Sequence, residues 1–422
     1  MHSVNASVIT IGDELLIGQT IDTNSAFIAR ELTRIGISVR RMVTVGDDWQ
    51  AIRHVLDEES RDADVIIITG GLGPTSDDIT KPLLAQYFGG RLVEDEQVLA
   101  HIRYLFEHVY RRPGPLLERN RRQAEVPDNC TVLMNTRGTA PGMLFRKEGK
   151  MFFSLPGVPY EMQDLLTRQV VPLLKNELPL PIIVQQTLLT VGVGESVLAE
   201  KVSDWEARLP NHMKLAYLPH FGTVRLRLTS NGNEKNGLEE EMEARFAELK
   251  ELVAEWLVAD EDITLSQAVA VLLKSKKQTV GTAESCTGGY LAHLLSRDPG
   301  SSSNFKGSIV SYDNQVKIDV LGVSPQTLET EGAVSETTVR QMAAGALKRL
   351  GTDFVVATSG IMGPDGGTER KAVGLVWIAV GDRAGIEAKE FHFRFDRSRN
   401  IEQTSIAALN MLRKRIVSQQ RG

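Results

Sequence analysis

The stretch Asp64-Val65-Ile66-Ile67-Ile68-Thr69-Gly70-Gly71-Leu72-Gly73-Pro74-Thr75-Ser76-Asp77-Asp78 joins a continuous apolar run to a glycine-rich turn. An apolar run without polar alternation is typical of a central strand in a parallel sheet, because helices cover both faces of such a strand. A helical pattern follows the turn. A strand-to-helix turn of this kind leaves backbone N–H groups unpaired at the positive end of a helix, where an anion can bind. The sequence therefore predicts a nucleotide or phosphate site here.

A second turn of the same layout occurs at Ala283-Glu284-Ser285-Cys286-Thr287-Gly288-Gly289. It follows a short apolar strand pattern and leads into a helical pattern that ends near Ser296. The same argument predicts a second ligand site at this turn.

The apolar runs around the first turn, 7–12, 38–45 and 64–69, alternate with helical patterns near 23–35 and 49–61. This order indicates an α/β fold with a doubly wound N-terminal domain. A proline-rich stretch, 172–181, precedes a small α+β middle module, and a second α/β layer begins after residue 259. The predicted modules are therefore 1–171, 172–258 and 259–422. The polar segment 230–237 is predicted to be a turn or loop.

Length and composition limit the class of protein. A chain of 422 residues corresponds to roughly three domains. No apolar run reaches the roughly 18 residues that cross a bilayer, and the start of the chain lacks a signal-peptide pattern, so we expect a cytoplasmic protein. The net charge of −6 argues against a broad nucleic-acid surface. The two cysteines, Cys130 and Cys286, have no zinc-site spacing.

The acids after the first glycine turn have two interpretations. Asp77 and Asp78 are adjacent, and either could cap the following helix. Alternatively, one carboxylate holds a divalent cation that bridges a pyrophosphate, because such ions bind one or two carboxylates together with substrate phosphates. Asp13 and Glu14 follow the first predicted strand and are candidate second donors.

Longer motifs around the first site resemble a known family. They are GDELLIGQTIDTNSAFIARELTRIGI at 12–37, TGGLGPTSDDIT at 69–80, NTRGTAPG at 135–142 and LPGVPYEM at 155–162. In this order they resemble the molybdopterin-binding-like domain of the CinA (competence/damage-inducible) family. The resemblance implies a metal-dependent ADP-ribose pyrophosphatase that uses Mg, Mn or Co, with a monovalent cation as a further candidate. The implied metal ligands are Asp77, Asp78 and Asp13, and the implied substrate-binding residues are Gly70, Gly71, Gly73, Thr75 and Asn24.

The motifs around the second site resemble the C-terminal domain of the same family. They are GTAESCTGGYLAHLL, GSIVSYDNQVKIDVLGV, EGAVSE and TSGIMGPDGGTERKAVGLVWIAV, between residues 281 and 380. The resemblance implies a nicotinamide mononucleotide (NMN) deamidase that needs no cofactor. It also implies a KH-type fold for the middle module and a homodimeric assembly.

Deamidation needs a nucleophile, a base and donors for the oxyanion. Ser285 is the predicted nucleophile, and Cys286 is the rival, although a small thiol is commonly just buried. Lys317 is the predicted base: a desolvated lysine can take the serine proton, although from sequence alone a lysine is most often a solvated charge. Tyr312 is predicted to orient Lys317 or relay a proton. Glu284 is predicted to pair with the lysine or bind the substrate ribose.

Substrate contacts are predicted on both sides of this chemistry. The backbone of the Ser285 turn could supply oxyanion or phosphate donors, and a glycine loop near 360–368 suits the nucleotide phosphate. Met362, Arg370, Ala372 and Glu402 depart from the pattern expected of typical family members. The predicted substrate-binding residues are Thr287, Gly288, Gly289, Asn314, Gly360, Gly363, Gly366, Gly367, Thr368 and Arg397.

Three functions compete at this point. The first is a bifunctional hydrolase of NAD breakdown products that acts on NMN and ADP-ribose. The second is a non-catalytic binding protein of competence or DNA-damage responses, which the presence of Ser285, Tyr312, Lys317, Asp77 and Asp78 disfavours. The third is molybdopterin binding, which the N-terminal fold alone would suggest.

Overall fold

The computed structural model describes residues 4–75, 78–112, 114–232 and 234–419. The chain divides into two compact units, of which the first extends to Ile183 and also includes the short segment 231–235. Within the described ranges, no helix is long and apolar enough to cross a membrane.

The first unit is built on a six-stranded sheet with the strand order β2-β1-β3-β8-β7-β6. Strands β1, β2, β3 and β8 are parallel, whereas β7 is antiparallel to both of its neighbours. Strands β4 and β5 form a separate ribbon. The elements are β1 (Asn5–Ile11), α1 (Asp13–Leu16), α2 (Thr23–Arg34), β2 (Ser38–Val45), α3 (Trp49–Asp62), β3 (Val65–Thr69), α4 (Thr80–Phe88), β4 (Leu92–Glu94), α5 (Glu96–Tyr104), α6 (Glu118–Arg121), β5 (Glu125–Pro127), β6 (Thr131–Leu133), β7 (Gly142–Lys147), β8 (Lys150–Leu155), α7 (Pro159–Leu165) and α8 (Val171–Glu177).

Strand β3 confirms the prediction from its sequence, because all five of its residues are buried. Val65 and Ile67 pack into one hydrophobic core, and Ile66 and Ile68 pack into another. Successive side chains of a strand point to opposite faces, so both faces of the sheet are covered. The doubly wound N-terminal fold is therefore confirmed.

Asp22 caps helix α2. Its carboxylate accepts a hydrogen bond from the Ser25 backbone N–H at 2.9 Å, and α2 begins at the next residue. The bond satisfies one of the N–H groups that the first turn of a helix leaves unpaired.

The second unit contains two sheets, with the orders β10-β11-β9-β12 and β14-β13-β15-β16-β17. Its elements are β9 (Ile182–Val191), α9 (Glu195–Glu206), β10 (Met213–His220), β11 (Thr223–Gly232), α10 (Lys235–Leu252), β12 (Leu257–Ala259), α11 (Leu265–Ser275), β13 (Val280–Glu284), α12 (Tyr290–Ser296), β14 (Phe305–Val310), α13 (Asn314–Leu321), α14 (Pro325–Thr330), α15 (Glu336–Leu350), β15 (Phe354–Gly360), β16 (Leu375–Asp382), β17 (Gly385–His392) and α16 (Arg397–Ser418).

The prediction of a loop over 230–237 was wrong for most of that segment. Strand β11 continues to Gly232, and α10 begins at Lys235. The pairing of β11 with β10 extends to Ser230, whose partner is Met213, so the ladder overrides the turn-like composition. Strand β10 itself was not predicted.

The five-stranded sheet places three strand ends together. β13 lies between β14 and β15 and is parallel to both, while β16 and β17 are antiparallel additions. The carboxyl ends of parallel strands meet at one edge, which is where open α/β sheets bind ligands. Ser285, Ser311 and Ile361 follow these three ends directly.

Candidate active site

A cavity of about 260 Å³ lies at the carboxyl ends of β13, β14 and β15. It brings together residues that are up to 112 positions apart in the sequence, from Ser285 to Arg397. The predicted site residues that line it are Ser285, Tyr312, Asn314, Lys317, Gly360, Gly366 and Arg397.

Ser285 is half-buried at the start of the turn between β13 and α12. Its backbone N–H donates to the Thr358 carbonyl at 2.9 Å, which extends the β13–β15 pairing by one residue. Among the described residues, the Ser285 hydroxyl has no hydrogen-bond partner, and neither do the backbone N–H groups of Cys286 and Thr287. A free hydroxyl therefore lies beside two free donors.

Lys317 is buried in the first half of α13, with 1% of its surface exposed. Its Nζ donates to the carbonyl oxygens of Ser311 at 2.8 Å and Tyr312 at 3.0 Å. Burial lowers the pKa of the Lys317 ammonium below its ordinary value, while the negative charge of Asp313 opposes the shift. The side chain is a desolvated amine in the cavity and not a solvated surface charge.

Cys286 is buried and belongs to the hydrophobic core of the unit, although it borders the cavity. Burial raises the pKa of its thiol to about 12. Because the thiolate is the nucleophilic form, such a thiol is a poor nucleophile near neutral pH. The geometry favours Ser285 over Cys286.

The structure gives Glu284 a different role from the predicted one. Its fully buried carboxylate accepts backbone hydrogen bonds from Gly289 at 3.0 Å, Leu291 at 3.0 Å and Ala292 at 2.8 Å, and a further bond from the Thr287 hydroxyl at 2.7 Å. These N–H groups belong to the start of α12. Glu284 therefore holds the turn in place, and its oxygens are already occupied by protein donors.

This arrangement also corrects the predicted role of the glycine turn. The Gly289 N–H donates to Glu284, and the Gly288 N–H donates to the Ser285 carbonyl at 3.2 Å. Neither group is left for an oxyanion or a phosphate. Thr287 and Gly288 line a neighbouring cavity of about 440 Å³ that also contains Glu402.

Tyr312 orients Lys317 through its backbone carbonyl and not through its phenol. The phenol oxygen instead accepts a hydrogen bond from Arg397 Nη2 at 2.8 Å, and Nη1 of the same guanidinium donates to the Gly363 carbonyl at 2.9 Å. The predicted proton relay through the phenol has no support in this geometry. Arg397 instead ties the loop after β15 to the loop after β14.

Two other predicted substrate-binding residues have local structural roles. Thr368 closes a turn: its N–H donates to the Lys371 carbonyl at 2.8 Å, and its hydroxyl accepts from the Lys371 N–H at 3.0 Å. Gly367 packs against Val373. Neither residue is among those that line the cavity.

Sequence reasoning missed the apolar part of the cavity. Ala333, Val334, Ile361 and Met362 line it, and none of them carries a polar group that would have marked it. The available signal was that EGAVSE, which contains Ala333 and Val334, and TSGIMGP, which contains Ile361 and Met362, both belong to motifs that resemble the family.

The first unit contains a larger cavity of about 650 Å³ beside the glycine turn that follows β3. Gly73 and Thr75 line it, as does Asp78, together with the exposed side chains of Arg119 and Arg122. The site therefore combines the predicted turn with two cations that were not among the predicted site residues.

Gly70 and Gly71 are required by the backbone and not by a ligand. Their φ angles are +112° and +64°, and a Cβ atom would lie 2.2 Å from the Ile11 carbonyl oxygen at Gly70 and 2.0 Å from the Thr80 hydroxyl at Gly71. Larger residues would be strained and would collide with their neighbours. Neither glycine lines the cavity.

The Asp78 carboxylate stabilises the glycine turn by accepting hydrogen bonds from its residues. One carboxylate oxygen accepts from the Gly73 N–H at 2.7 Å, and the other accepts from the Thr75 N–H at 2.9 Å and from its hydroxyl. Asn24 is also engaged, because its buried amide donates to the Thr69 hydroxyl at 3.2 Å and the Gly157 carbonyl at 2.8 Å. Both side chains hold protein segments together.

The predicted metal ligands are only partly described, since Asp77 lies outside the described residues. Asp13 accepts a hydrogen bond from the Asp47 N–H at 3.3 Å. Burial raises the pKa of Asp47, and the nearby carboxylates of Asp13, Glu14 and Asp78 raise it further. Hard carboxylate oxygens of this kind suit a divalent cation. Within the described ranges, however, no three acidic, histidine or cysteine side chains are arranged to hold an ion.

Lys81, which was not predicted as a site residue, lines the 650 Å³ cavity of the first unit. It is buried, and its Nζ donates to the carbonyl oxygens of Gln123 at 2.9 Å and Glu125 at 3.0 Å. Burial lowers the pKa of its ammonium to about 8. Lys81 therefore supports the segment that carries Arg122.

Comparisons with known proteins decide the family. Residues 7–176 match the probable molybdopterin binding domain, 185–259 the damage-inducible protein CinA KH domain, and 262–416 the CinA C-terminal domain. The chain is 44% identical to a CinA-like protein of Flavobacterium psychrophilum, over 98% of this chain and 99% of that protein. The chain belongs to the CinA family.

A second relative and a solved structure are also similar to this chain. A CinA-like protein of Cytophaga hutchinsonii is also 44% identical, over 98% of each chain. A crystal structure titled competence/damage inducible protein CihA, from Agrobacterium tumefaciens, is 41% identical over 35% of this chain and 91% of that chain, with a TM-score of 0.35. This CinA family member therefore has a molybdopterin-binding-like domain, a KH domain and a CinA C-terminal domain.

The buried Glu284 carboxylate makes a testable contribution to stability. In Glu284→Gln, the amide nitrogen replaces one acceptor, so buried N–H groups at the start of α12 lose their partner. We expect the free energy of unfolding to fall by about 2 kcal/mol. Urea denaturation at neutral pH measures the change, with Glu369→Gln in an exposed loop as the matched control. Equal unfolding midpoints for the two variants would contradict the assigned role.

Proposed function

We propose that the C-terminal site hydrolyses the carboxamide of NMN to give nicotinate mononucleotide and ammonia. The observation that supports this proposal is that the unpaired hydroxyl of Ser285 and the buried amine of Lys317 line one cavity. A nucleophile beside a desolvated base is what attack on an amide carbon requires. The resemblance to the deamidase domain supplies the substrate.

Lys317 has the hydrogen-bonding pattern that a base needs. Its two carbonyl acceptors can take the two N–H groups of a neutral amine, which leaves the lone pair for the Ser285 proton. As the Ser285 oxygen bonds to the carboxamide carbon, Lys317 takes that proton. It then returns the proton to the departing nitrogen, so that ammonia leaves and an ester to Ser285 remains. Water hydrolyses the ester to the carboxylate, with Lys317 again taking and returning a proton.

The developing oxyanion needs donors other than the glycines. The backbone N–H groups of Cys286 and Thr287, without an acceptor among the described residues, are the candidates. Two backbone donors beside a nucleophile at a strand-to-helix turn form an oxyanion site of the common kind. In this proposal, Cys286 contributes its backbone and its bulk but not its thiol.

The phosphate of the nucleotide requires a cation, and Arg397 is the arginine that lines the cavity. Its guanidinium spans the Tyr312 phenol and the Gly363 carbonyl. Asn314, which is exposed, and the loop glycines Gly360 and Gly366 border the same space. We assign the phosphate to this side of the cavity, because an arginine fork matches phosphate geometry.

Ammonia release from NMN tests the nucleophile. The purified chain is expected to release ammonia, Ser285→Ala to lose the rate by at least about a thousandfold, and Cys286→Ala to retain it. A coupled assay for ammonia measures all three proteins. Loss of the rate in Cys286→Ala alone would transfer the nucleophile to the thiol. No release by the unmutated chain would refute the deamidase.

The protonation of Lys317 predicts the pH dependence. The amine acts as a base only when neutral, so kcat/KM for NMN should rise with pH through the pKa of Lys317. Because burial lowers that pKa, the midpoint of the rise should lie below the ordinary lysine value of about 10.5. In Lys317→Met the rate and this pH-dependent rise should both be lost. A wild-type profile that is flat with pH would contradict Lys317 as the base.

A second activity is favoured by the 650 Å³ cavity of the first unit. Arg119 and Arg122 line the same cavity as Gly73 and Thr75, and a guanidinium matches the geometry of a pyrophosphate, although Glu118 and Glu125 line the cavity as well. We propose hydrolysis of ADP-ribose to AMP and ribose 5-phosphate there. Asp13, with Asp47 and Asp77, would hold the divalent cation. When bound, such an ion polarises a phosphoryl oxygen and lowers the pKa of a bound water.

Separate variants distinguish this second activity from the first. With Mg²⁺, Mn²⁺ or Co²⁺ added, the chain should release AMP from ADP-ribose, and a chelator should abolish the release. Asp13→Asn should lower AMP release about a hundredfold and leave ammonia release from NMN unchanged. Ser285→Ala should lose ammonia release from NMN and leave AMP release from ADP-ribose unchanged. AMP release that survives both the chelator and Asp13→Asn, measured by chromatography, would refute the proposed metal site.

A further inference from the structure

The segment 331–334 lies between α14 and α15 and has no regular secondary structure. Lys371 nevertheless holds both of its ends. The Lys371 Nζ donates to the Glu331 carbonyl at 2.5 Å and to the Val334 carbonyl at 2.6 Å. A single ammonium group therefore fixes two peptide planes that are three residues apart.

The carbonyls between these two are also occupied by side chains. The Gly332 carbonyl accepts from the Thr338 hydroxyl at 2.8 Å, and the Ala333 carbonyl accepts from the Ser359 hydroxyl at 2.6 Å. All four successive carbonyls thus have a side-chain donor. Because irregular backbone lacks a ladder of its own, these donors determine which way its side chains face.

Ala333 and Val334 line the Ser285 cavity. Together with Ile361 and Met362 they form its apolar part, which we call the apolar wall. Ile361 and Met362 begin the loop that joins β15 to β16, and Lys371 lies near the end of that loop. The bonds from Lys371 therefore join the two chain segments that supply the apolar wall.

The Lys371 ammonium is bound by backbone carbonyls, which is unusual for a lysine at the protein surface. A lysine that only solubilises a loop keeps its ammonium in water, whereas the Lys371 ammonium contacts two carbonyl oxygens. The turn closed by Thr368 fixes the backbone of Lys371 as well. The side chain is therefore held at both its backbone and its charged end.

We infer that the apolar wall is the surface against which the planar aromatic ring of the amide substrate packs, and that Lys371 is the positioning residue that holds this wall in place. The inference rests on the proposed amidase function and adds to it the ring-binding surface and its support. A flat ring needs a rigid apolar surface to place its carboxamide at Ser285. Lys371 contacts the wall and not the reacting atoms.

Kinetics with NMN test the inference. In Lys371→Met, which keeps the length of the side chain but loses the donors, KM should rise about tenfold with kcat within about threefold of the wild-type value. Lys371→Arg keeps a cationic donor and should restore KM to near the wild-type value. Lys348→Met, on the exposed end of α15, is the matched control and should behave as wild type. An unchanged KM in Lys371→Met would overturn the inference.

Hydrogen exchange measured on the full chain without substrate separates this inference from the proposed activity. The amides of 331–335 should exchange faster in Lys371→Met than in the wild type, Lys371→Arg or Lys348→Met. Equal exchange in all four proteins would overturn the positioning role even if NMN is deamidated. If the wild type releases no ammonia, the proposed function fails, and calorimetric titration with NMN then tests the ring surface. Weaker NMN binding in Lys371→Met than in the wild type would support the inference. No NMN binding to the wild type, or equal binding in the two proteins, would overturn it.

Discussion

The carboxylate of Glu284 inside the first turn of α12 is the interaction on which the candidate site depends. The start of a helix presents unpaired N–H groups and a partial positive charge. Glu284 satisfies both with a buried negative charge that is anchored at the end of β13. The chain between strand and helix is thereby held in a tight turn, and Ser285 is left with its hydroxyl free.

The same principle operates in the first unit. There Asp78 accepts from the N–H groups of Gly73 and Thr75, so a carboxylate of the protein occupies the interior of the glycine turn. Both turns have the glycine-rich composition of a phosphate-binding loop. In each turn, however, a carboxylate of the protein itself accepts hydrogen bonds from the backbone N–H groups. In the functions proposed above, the phosphate is therefore assigned to cations from other segments, Arg397 in one unit and Arg119 in the other.

The extent to which the sequence predicts this molecule differs between backbone and site. The apolar run of β3 and the cap at Asp22 are local signals, and the structure contains both. Glu284 was predicted to pair with the lysine or bind the ribose, whereas its observed role depends on the position of α12 over its carboxylate, which no local pattern records. The burial of Lys317 depends in the same way on the carbonyls of the preceding loop.

The missed features have a common physical origin. Ala333 and Val334 are ordinary small apolar residues, and only the fold places them in the cavity that Ser285 also lines. Strand β10 was missed because only one of its eight residues is buried, so its sequence carries no buried alternating pattern, and its backbone is held by the hairpin with β11. Polar residues identify candidate sites in a sequence. The shape of a cavity, however, is determined largely by apolar residues, which carry no such signal.

Strand β9 has a consequence for how this chain can be divided. Leu189 and Val191, at the end of β9, are buried in the same hydrophobic core as Leu265 and Val269 of α11. The KH domain thus supplies part of the interior of the C-terminal domain. A gene truncated to begin after residue 259 would encode a protein with an uncovered apolar patch at this place. Such a fragment would need new polar residues there, or another chain to cover it, to remain dispersed in water.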